Sequence, residues 1–195
     1  HDILKWGIGK QDEYASAFGG LNLYKFTKNK VIVKPINLKK STAKELQDNS
    51  LLFRLGDREH SKGILQSQIK SINQSNKTTI LALHKAKELA IEMYDSLKEN
   101  DLTKFSDILN RGWEAKRNYT KGITNKRIEM ISKKAIENGA KALKVTGAGG
   151  GGHFFIYANP SKHNSIIKSL KKLGVNNVDF KYQKQGAKVF EINNL

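Results

Sequence analysis

Between two short apolar segments, Ala142–Thr146 and His153–Ala158, stands Gly147-Ala148-Gly149-Gly150-Gly151-Gly152, five glycines in six positions. A helix or strand interior does not carry that density, because each glycine costs up to about 1 kcal/mol of backbone entropy relative to alanine. A tight hairpin turn needs only one or two glycines. The run therefore marks a strand–loop–strand unit whose loop needs positive φ or a close backbone approach, and whose N–H groups can converge on an anion. No Gly-Lys-Ser/Thr follows, so it is not a Walker A loop, and a strand rather than a helix comes next, unlike a dinucleotide fingerprint. The plain alternative is a flexible turn.

The hydrophobic pattern supplies the rest of the frame. Leu21–Thr27 and Lys30–Ile36 read as a hairpin, with Pro35 near its end where a missing donor does least harm. The polar stretch 37–49 reads as a crossing between two domains, followed by a strand over Ser50–Leu55. From Lys77 to Lys98, Ile80, Leu83, Ala86, Ala90, Met93 and Leu97 recur at helical spacing. A second helix carries Leu102, Phe105, Ile108, Leu109 and Trp113, with Asp101 or Thr103 placed to cap it. A third spans about Asn125–Asn138, with Ile128, Ile131 and Ala135 inward and Gly139 as its stop. A helix over Ser161–Leu173, a turn at Gly174 and strands at Asn177–Tyr182 and Ala187–Ile192 close the chain. The strand pairs suit antiparallel pairing, so the predicted class is α+β, a sheet with helices on one face.

Composition narrows the chemistry. The absence of cysteine excludes disulfides, thiolate catalysis and cysteine zinc sites. No run approaches the roughly 18 apolar residues of a membrane span, so a soluble, cytoplasmic protein is expected. The formal charge of +17 favours anionic partners, although the basic residues are scattered along the chain, as on ordinary solvated faces. His1, His60, His84, His153 and His163 lack metal-ligand spacing. Trp6 and Trp113 suit packing better than base stacking. The chain begins at His1, without a leader, as if cut from something longer.

A second cluster is Gly7-Ile8-Gly9-Lys10-Gln11-Asp12-Glu13-Tyr14, running into Ala15-Ser16-Ala17-Phe18-Gly19-Gly20. A carboxylate at Asp12 could accept a hydroxyl proton or orient that hydroxyl for attack on a phosphoryl group. Taken alone, an aspartate near glycines is more often a turn or cap residue.

Taken together, the clusters resemble a known family. The segment 9–20 resembles the stretch carrying the catalytic aspartate of GHMP kinases (galactokinase, homoserine kinase, mevalonate kinase, phosphomevalonate kinase), and Lys144–Gly152 resembles their third motif. The Gly-Lys-Gln-Asp form is most similar to the branch acting on D-glycero-D-manno-heptose 7-phosphate. Trp113-Glu114-Ala115-Lys116 with Gly122-Ile123-Thr124-Asn125, and Glu137-Asn138-Gly139-Ala140, are similar to that branch too, and the likeness runs in order from about Gly7 to Pro160.

The resemblance implies a ferredoxin-like carboxy-terminal kinase domain over residues 41–195, and over 1–40 the last hairpin and catalytic-aspartate segment of the preceding domain. It implies Asp12 as catalytic carboxylate, and Lys10, Gln11, Tyr14, Gly19 and Gly20 about the sugar. Gly147, Ala148, Gly149, Gly150, Gly151 and Gly152 would lie near the phosphates, sharing one cleft with Asp12. The cofactors implied are ATP and Mg²⁺, with no metal ligand assigned in this chain; His153 is read as structural. The implied reaction moves the ATP γ-phosphoryl group to the anomeric hydroxyl of the heptose phosphate. The partners implied are sugar phosphate and ATP, with neither nucleic acid nor membrane, and a homodimer is left open. The family's first and second motifs, including the helix-terminus loop that holds the ATP phosphates, have no counterpart, so this chain alone is expected to be inactive. Leu55-Gly56-Asp57-Arg58-Glu59 matches the family loosely, through Arg58. The competing readings are a fucose- or galactose-type sugar 1-kinase and, in another class, a basic nucleic-acid-binding module. No recognised nucleic-acid fold or basic–aromatic face supports the latter.

Overall fold

The computed structural model describes residues 9–56 and 61–190. Trp6, Gly7, Arg58, His60 and the last residues of the strand expected at 187–192 lie outside that range. The chain divides into two compact units, residues 1–37 with 181–195, and residues 38–180. The sequence division at residue 40 carried the second segment to the chain's end, whereas the tail after residue 180 groups with the first unit.

The first unit holds α1 (Gln11–Phe18) and the antiparallel hairpin of β1 (Asn22–Phe26) and β2 (Val31–Pro35), in the register Asn22 opposite Pro35 and Phe26 opposite Val31. At the hairpin turn the Thr27 hydroxyl both donates to the Lys30 carbonyl and accepts from its amide. Tyr14 and Phe18, one helical turn apart, dock on Tyr24 and Phe26, two apart on a strand; Tyr14 lies 5.4 Å from Phe26 and stacks on Phe18 at 5.9 Å.

In the second unit, α2 (Lys40–Asp48) precedes β3 (Ser50–Gly56), α3 (Ser61–Asn73), α4 (Lys77–Lys98), α5 (Leu102–Arg117) and α6 (Lys126–Glu137). Then follow β4 (Ala140–Val145), β5 (Gly152–Ala158), α7 (Pro160–Lys171) and β6 (Asn176–Val178). The sheet order β4-β5-β3-β6 is antiparallel throughout. With α6 before β4 and α7 before β6, this is the ferredoxin-like β-α-β-β-α-β arrangement of an α+β fold, with α3, α4 and α5 inserted into the first crossover.

Local chemistry explains most element ends. Asn76, Asp101, Asn125 and Asn159 accept from amides two or three residues on and so start α4, α5, α6 and α7. Gly139 and Gly174 end α6 and α7 with φ of 102° and 71°. Alternate strand residues (Leu51, Phe53 and Leu55; Phe154, Ile156 and Ala158; Leu143 and Val145) face Ile128, Ile131, Ala135, Ile166 and Leu170 in one core.

Four expectations are corrected. The polar stretch 37–49 is mostly helix α2, which buries Thr42 and Leu46. Helices α1 and α3 had no counterpart in the reading of the sequence. The buried stripe of α4 is shifted by one residue: Thr79, Ala82, Leu89, Ser96 and Leu97 are buried and Ala90 is exposed. Two hydroxyls occupy that stripe because each bonds a backbone carbonyl, Thr79 that of Tyr119 and Ser96 that of Asp101. Finally, β6 has three residues and pairs with β3, and 187–190 is not a strand.

Strand β4 is a sheet edge, and its outward backbone groups are met by side chains of α5. Asn110 donates to the Lys141 carbonyl at 2.9 Å and accepts from the Leu143 amide at 3.3 Å, standing in for a neighbouring strand. Replacing Asn110 by Ala is expected to cost about 1–2 kcal/mol in urea unfolding, the worth of two partly solvated hydrogen bonds. Asn110→Asp, which keeps the acceptor alone, should fall between.

Candidate active site

The acidic residues Asp12 and Glu13 sit in the first turn of α1, where the exposed amides of a helix start favour negative charge. Tyr14 and Phe18 hold the opposite side of this helix against the hairpin, so Asp12 stands exposed with Lys10 and Gln11 beside it. The Ser16 hydroxyl donates to the Asp12 carbonyl at 2.9 Å. Tyr14 belongs to the aromatic anchor, and its carbonyl accepts from the Tyr24 hydroxyl at 3.3 Å. Gly19 and Gly20 follow the helix with φ of 63° and 65°, and the Asn22 amide group caps the Gly19 carbonyl at 2.6 Å. All six residues expected near the sugar are thus gathered in one helix and its terminal turn.

The glycine loop belongs to the other unit. It leaves β4 at Val145 and rejoins the sheet at Gly152, with Thr146 bonding the His153 carbonyl through both amide and hydroxyl. Gly147, Gly149, Gly150 and Gly152 all have positive φ. Two of them are forced by a close approach. A Cβ on Gly149 would lie 3.0 Å from the Ile123 backbone, and one on Gly150 would lie 2.5 Å from Ile64 and 3.1 Å from the Gly122 carbonyl. The Gly150 amide donates to the Ile123 carbonyl at 2.8 Å. The glycines therefore seat the loop on the 122–125 turn, and among the described residues the amides of Ala148 and Gly151 donate to no backbone carbonyl.

On the far side, α5 delivers Lys116, a buried side chain whose ammonium group donates to the Val145 carbonyl at 3.1 Å and the Gly147 carbonyl at 2.5 Å. It grips the point where strand becomes loop. On the sheet face turned from the core, Lys144 opposes Phe155, and His153 opposes Arg54 one row closer to the loop. Burial pushes the Lys144 ammonium below its ordinary value. Among the described residues no three His, Asp or Glu side chains converge as a metal cage.

A family model described as "GHMP kinases C terminal" matches residues 93–176, from the end of α4 through the glycine loop to β6. Residues 93–176 carry a GHMP kinase carboxy-terminal domain. It is 35% identical over 185 residues to the D-glycero-alpha-D-manno-heptose 7-phosphate kinase of Campylobacter jejuni, covering 94% of this chain and 54% of that one. It is 25% identical over 173 residues to the L-fucokinase/L-fucose-1-P guanylyltransferase of Bacteroides fragilis, covering 86% of this chain and 18% of the relative. A solved D-glycero-D-manno-heptose 1-phosphate kinase from Bacteroides thetaiotaomicron superposes with a TM-score of 0.66 at 27% identity, over 97% of this chain and 52% of that one. The chain thus spans about half the length of the heptose kinases it matches.

The sequence pattern does not single out Asn110 or the grip of Lys116 within this GHMP kinase domain, nor Ile64 before it. Lys116 stands out only through the family resemblance, because nothing local says that a helix lysine must reach carbonyls 29 and 31 residues away.

Lys116→Met is expected to lower stability by about 2–3 kcal/mol, since a charged donor leaves two carbonyls, and to speed amide exchange at 147–152 selectively. Lys144 also makes a pH-dependent contribution. Its folded value is depressed, so between that value and the ordinary 10.5 the unfolded chain holds more protons and stability rises with pH. Lys144→Met should abolish that rise. Comparing urea midpoints of the two proteins separates it from Tyr119 and Tyr157, whose burial shifts them upward.

Proposed function

We propose that this chain forms part of an ATP-dependent sugar kinase that transfers the γ-phosphoryl group to the anomeric hydroxyl of D-glycero-D-manno-heptose 7-phosphate. The supporting observation is the 35% identity to a heptose 7-phosphate kinase across 94% of the chain. In this reading residues 1–37 with the tail 181–195 close the sugar-binding domain and 38–180 form the carboxy-terminal domain, in the cytoplasm.

Asp12 is the catalytic carboxylate, accepting or orienting the proton of the attacking hydroxyl, a role suited to an exposed carboxylate on an otherwise anchored helix. Lys10, Gln11 and the Gly19–Gly20 turn lie about the sugar, and the loop at 147–152 offers the amides of Ala148 and Gly151 to the phosphates. Phosphoryl transfer asks for positioning and charge stabilisation more than covalent chemistry, and Mg²⁺ arriving with the nucleotide supplies neutralisation of the phosphate charge. The formal charge of +17 draws doubly anionic sugar phosphates and ATP toward the protein. The similarity to a fucokinase favours one second reading, an unphosphorylated sugar as acceptor.

A phosphorylation panel separates these readings. In an enzyme carrying this sequence at the full length of its relatives, label should pass from radiolabelled ATP to heptose 7-phosphate at least about tenfold more efficiently than to heptose 1-phosphate, fucose or galactose, roughly the 1–3 kcal/mol of discrimination that substrate contacts supply. Asp12→Asn should lower kcat by about a hundred- to ten-thousandfold, with KM for the sugar little changed. Undiminished turnover by that variant would remove Asp12 from the chemistry.

A further inference from the structure

The tail beyond the ferredoxin-like sheet returns to the first unit and lies against the end of α1. The Gly20 amide donates to the Gln183 carbonyl at 2.8 Å, and the Ala187 amide donates to the Ser16 carbonyl at 3.0 Å. Between these two bonds the backbones touch. A Cβ on Gly19 would lie 2.3 Å from Gln185 and Gly186 backbone atoms, and one on Gly186 would lie 1.9 Å from the Ala17 carbonyl oxygen. By contrast, Gly63 and Gly112 have nothing within 4 Å of such a position. Glycine is therefore required on both partners of one contact, distant in sequence.

Helix α1 needs such a partner. Its eight residues are too few to persist alone in water. Its N-cap, Lys10, makes no side-chain capping bond. Its last carbonyls lack intrahelical donors, as at every helix end, and the tail amide of Ala187 satisfies that of Ser16. The Ser16 hydroxyl in turn bonds the Asp12 carbonyl, so the clamp lies one helical turn from the carboxylate.

We infer that residues 183–187 are a positioning strap for α1, and that the orientation of Asp12 depends on the last segment of the chain. The inference rests on the reading of Asp12 as the catalytic carboxylate, yet the strap itself is tested without turnover. Ala187→Pro deletes the capping amide, Ala187→Gly retains it, and Gly186→Ala drives a methyl group into Ala17. Amide hydrogen exchange by mass spectrometry on the 195-residue chain reads each variant.

Ala187→Pro and Gly186→Ala should speed exchange over 11–18 by about tenfold, one hydrogen bond's worth, with the β1–β2 hairpin and α4 unchanged. Ala187→Gly should stay near wild type. The strap is overturned if Ala187→Pro and a chain ending at Tyr182 both leave 11–18 protected as in wild type. It is equally overturned if helix and hairpin lose protection by the same factor, for then the tail supports the whole unit rather than the helix. Full activity of Asp12→Asn would end the catalytic reading while leaving the exchange result standing, so the two failures are distinct.

Discussion

One ammonium group fixes the geometry of the carboxy-terminal domain's loop. Lys116 holds the Val145 carbonyl, the last outward acceptor of the edge strand, and the Gly147 carbonyl, the first of the loop. A lysine suits this task because its long stem spans the gap from a helix to a strand edge and its head offers three donors without a fixed plane. Further along the same helix Asn110 meets the Lys141 and Leu143 groups. Helix α5 thus acts as a lateral partner for β4, a protected edge that ends where the loop begins.

The two units differ in how they are held together. The second has a continuous core, in which Phe53, Phe154, Ile131 and Ile156 are fully buried, and its loop inherits that rigidity through Ile64 and Ile123. Among the described residues of the first unit none reaches that degree of burial. Its helix and hairpin rest on four aromatic rings and on the tail, with Phe18 52% and Phe26 43% exposed. A unit of that kind opens locally at lower cost than a packed sheet.

Both units use glycine for the same physical purpose, letting backbone approach backbone. Gly149 and Gly150 sit on the 122–125 turn, and Gly19 and Gly186 sit against each other's chains. A reaction that depends on positioning gains from such contacts, because backbone groups have no rotamers to lose.

By itself the sequence determined the elements whose signals are local. The cap at Asp101, the stop at Gly139, the turn at Gly174, the hairpin turn at Lys28-Asn29 and the glycine loop are all legible, because cap and turn rules act over three or four residues. The carboxylate at Asp12 was legible as a motif, but not as part of a helix. The tertiary structure alone decided that the polar stretch before Ser50 coils into α2, that Thr79 and Ser96 belong on the buried side of α4, and that the tail leaves the sheet for α1. The two hydroxyls and the tail each depend on a carbonyl or amide supplied from outside their own element, and α2 on the burial of Thr42 and Leu46. Side-chain periodicity reports how apolar a position is, and it is silent on which distant backbone group will satisfy a polar one.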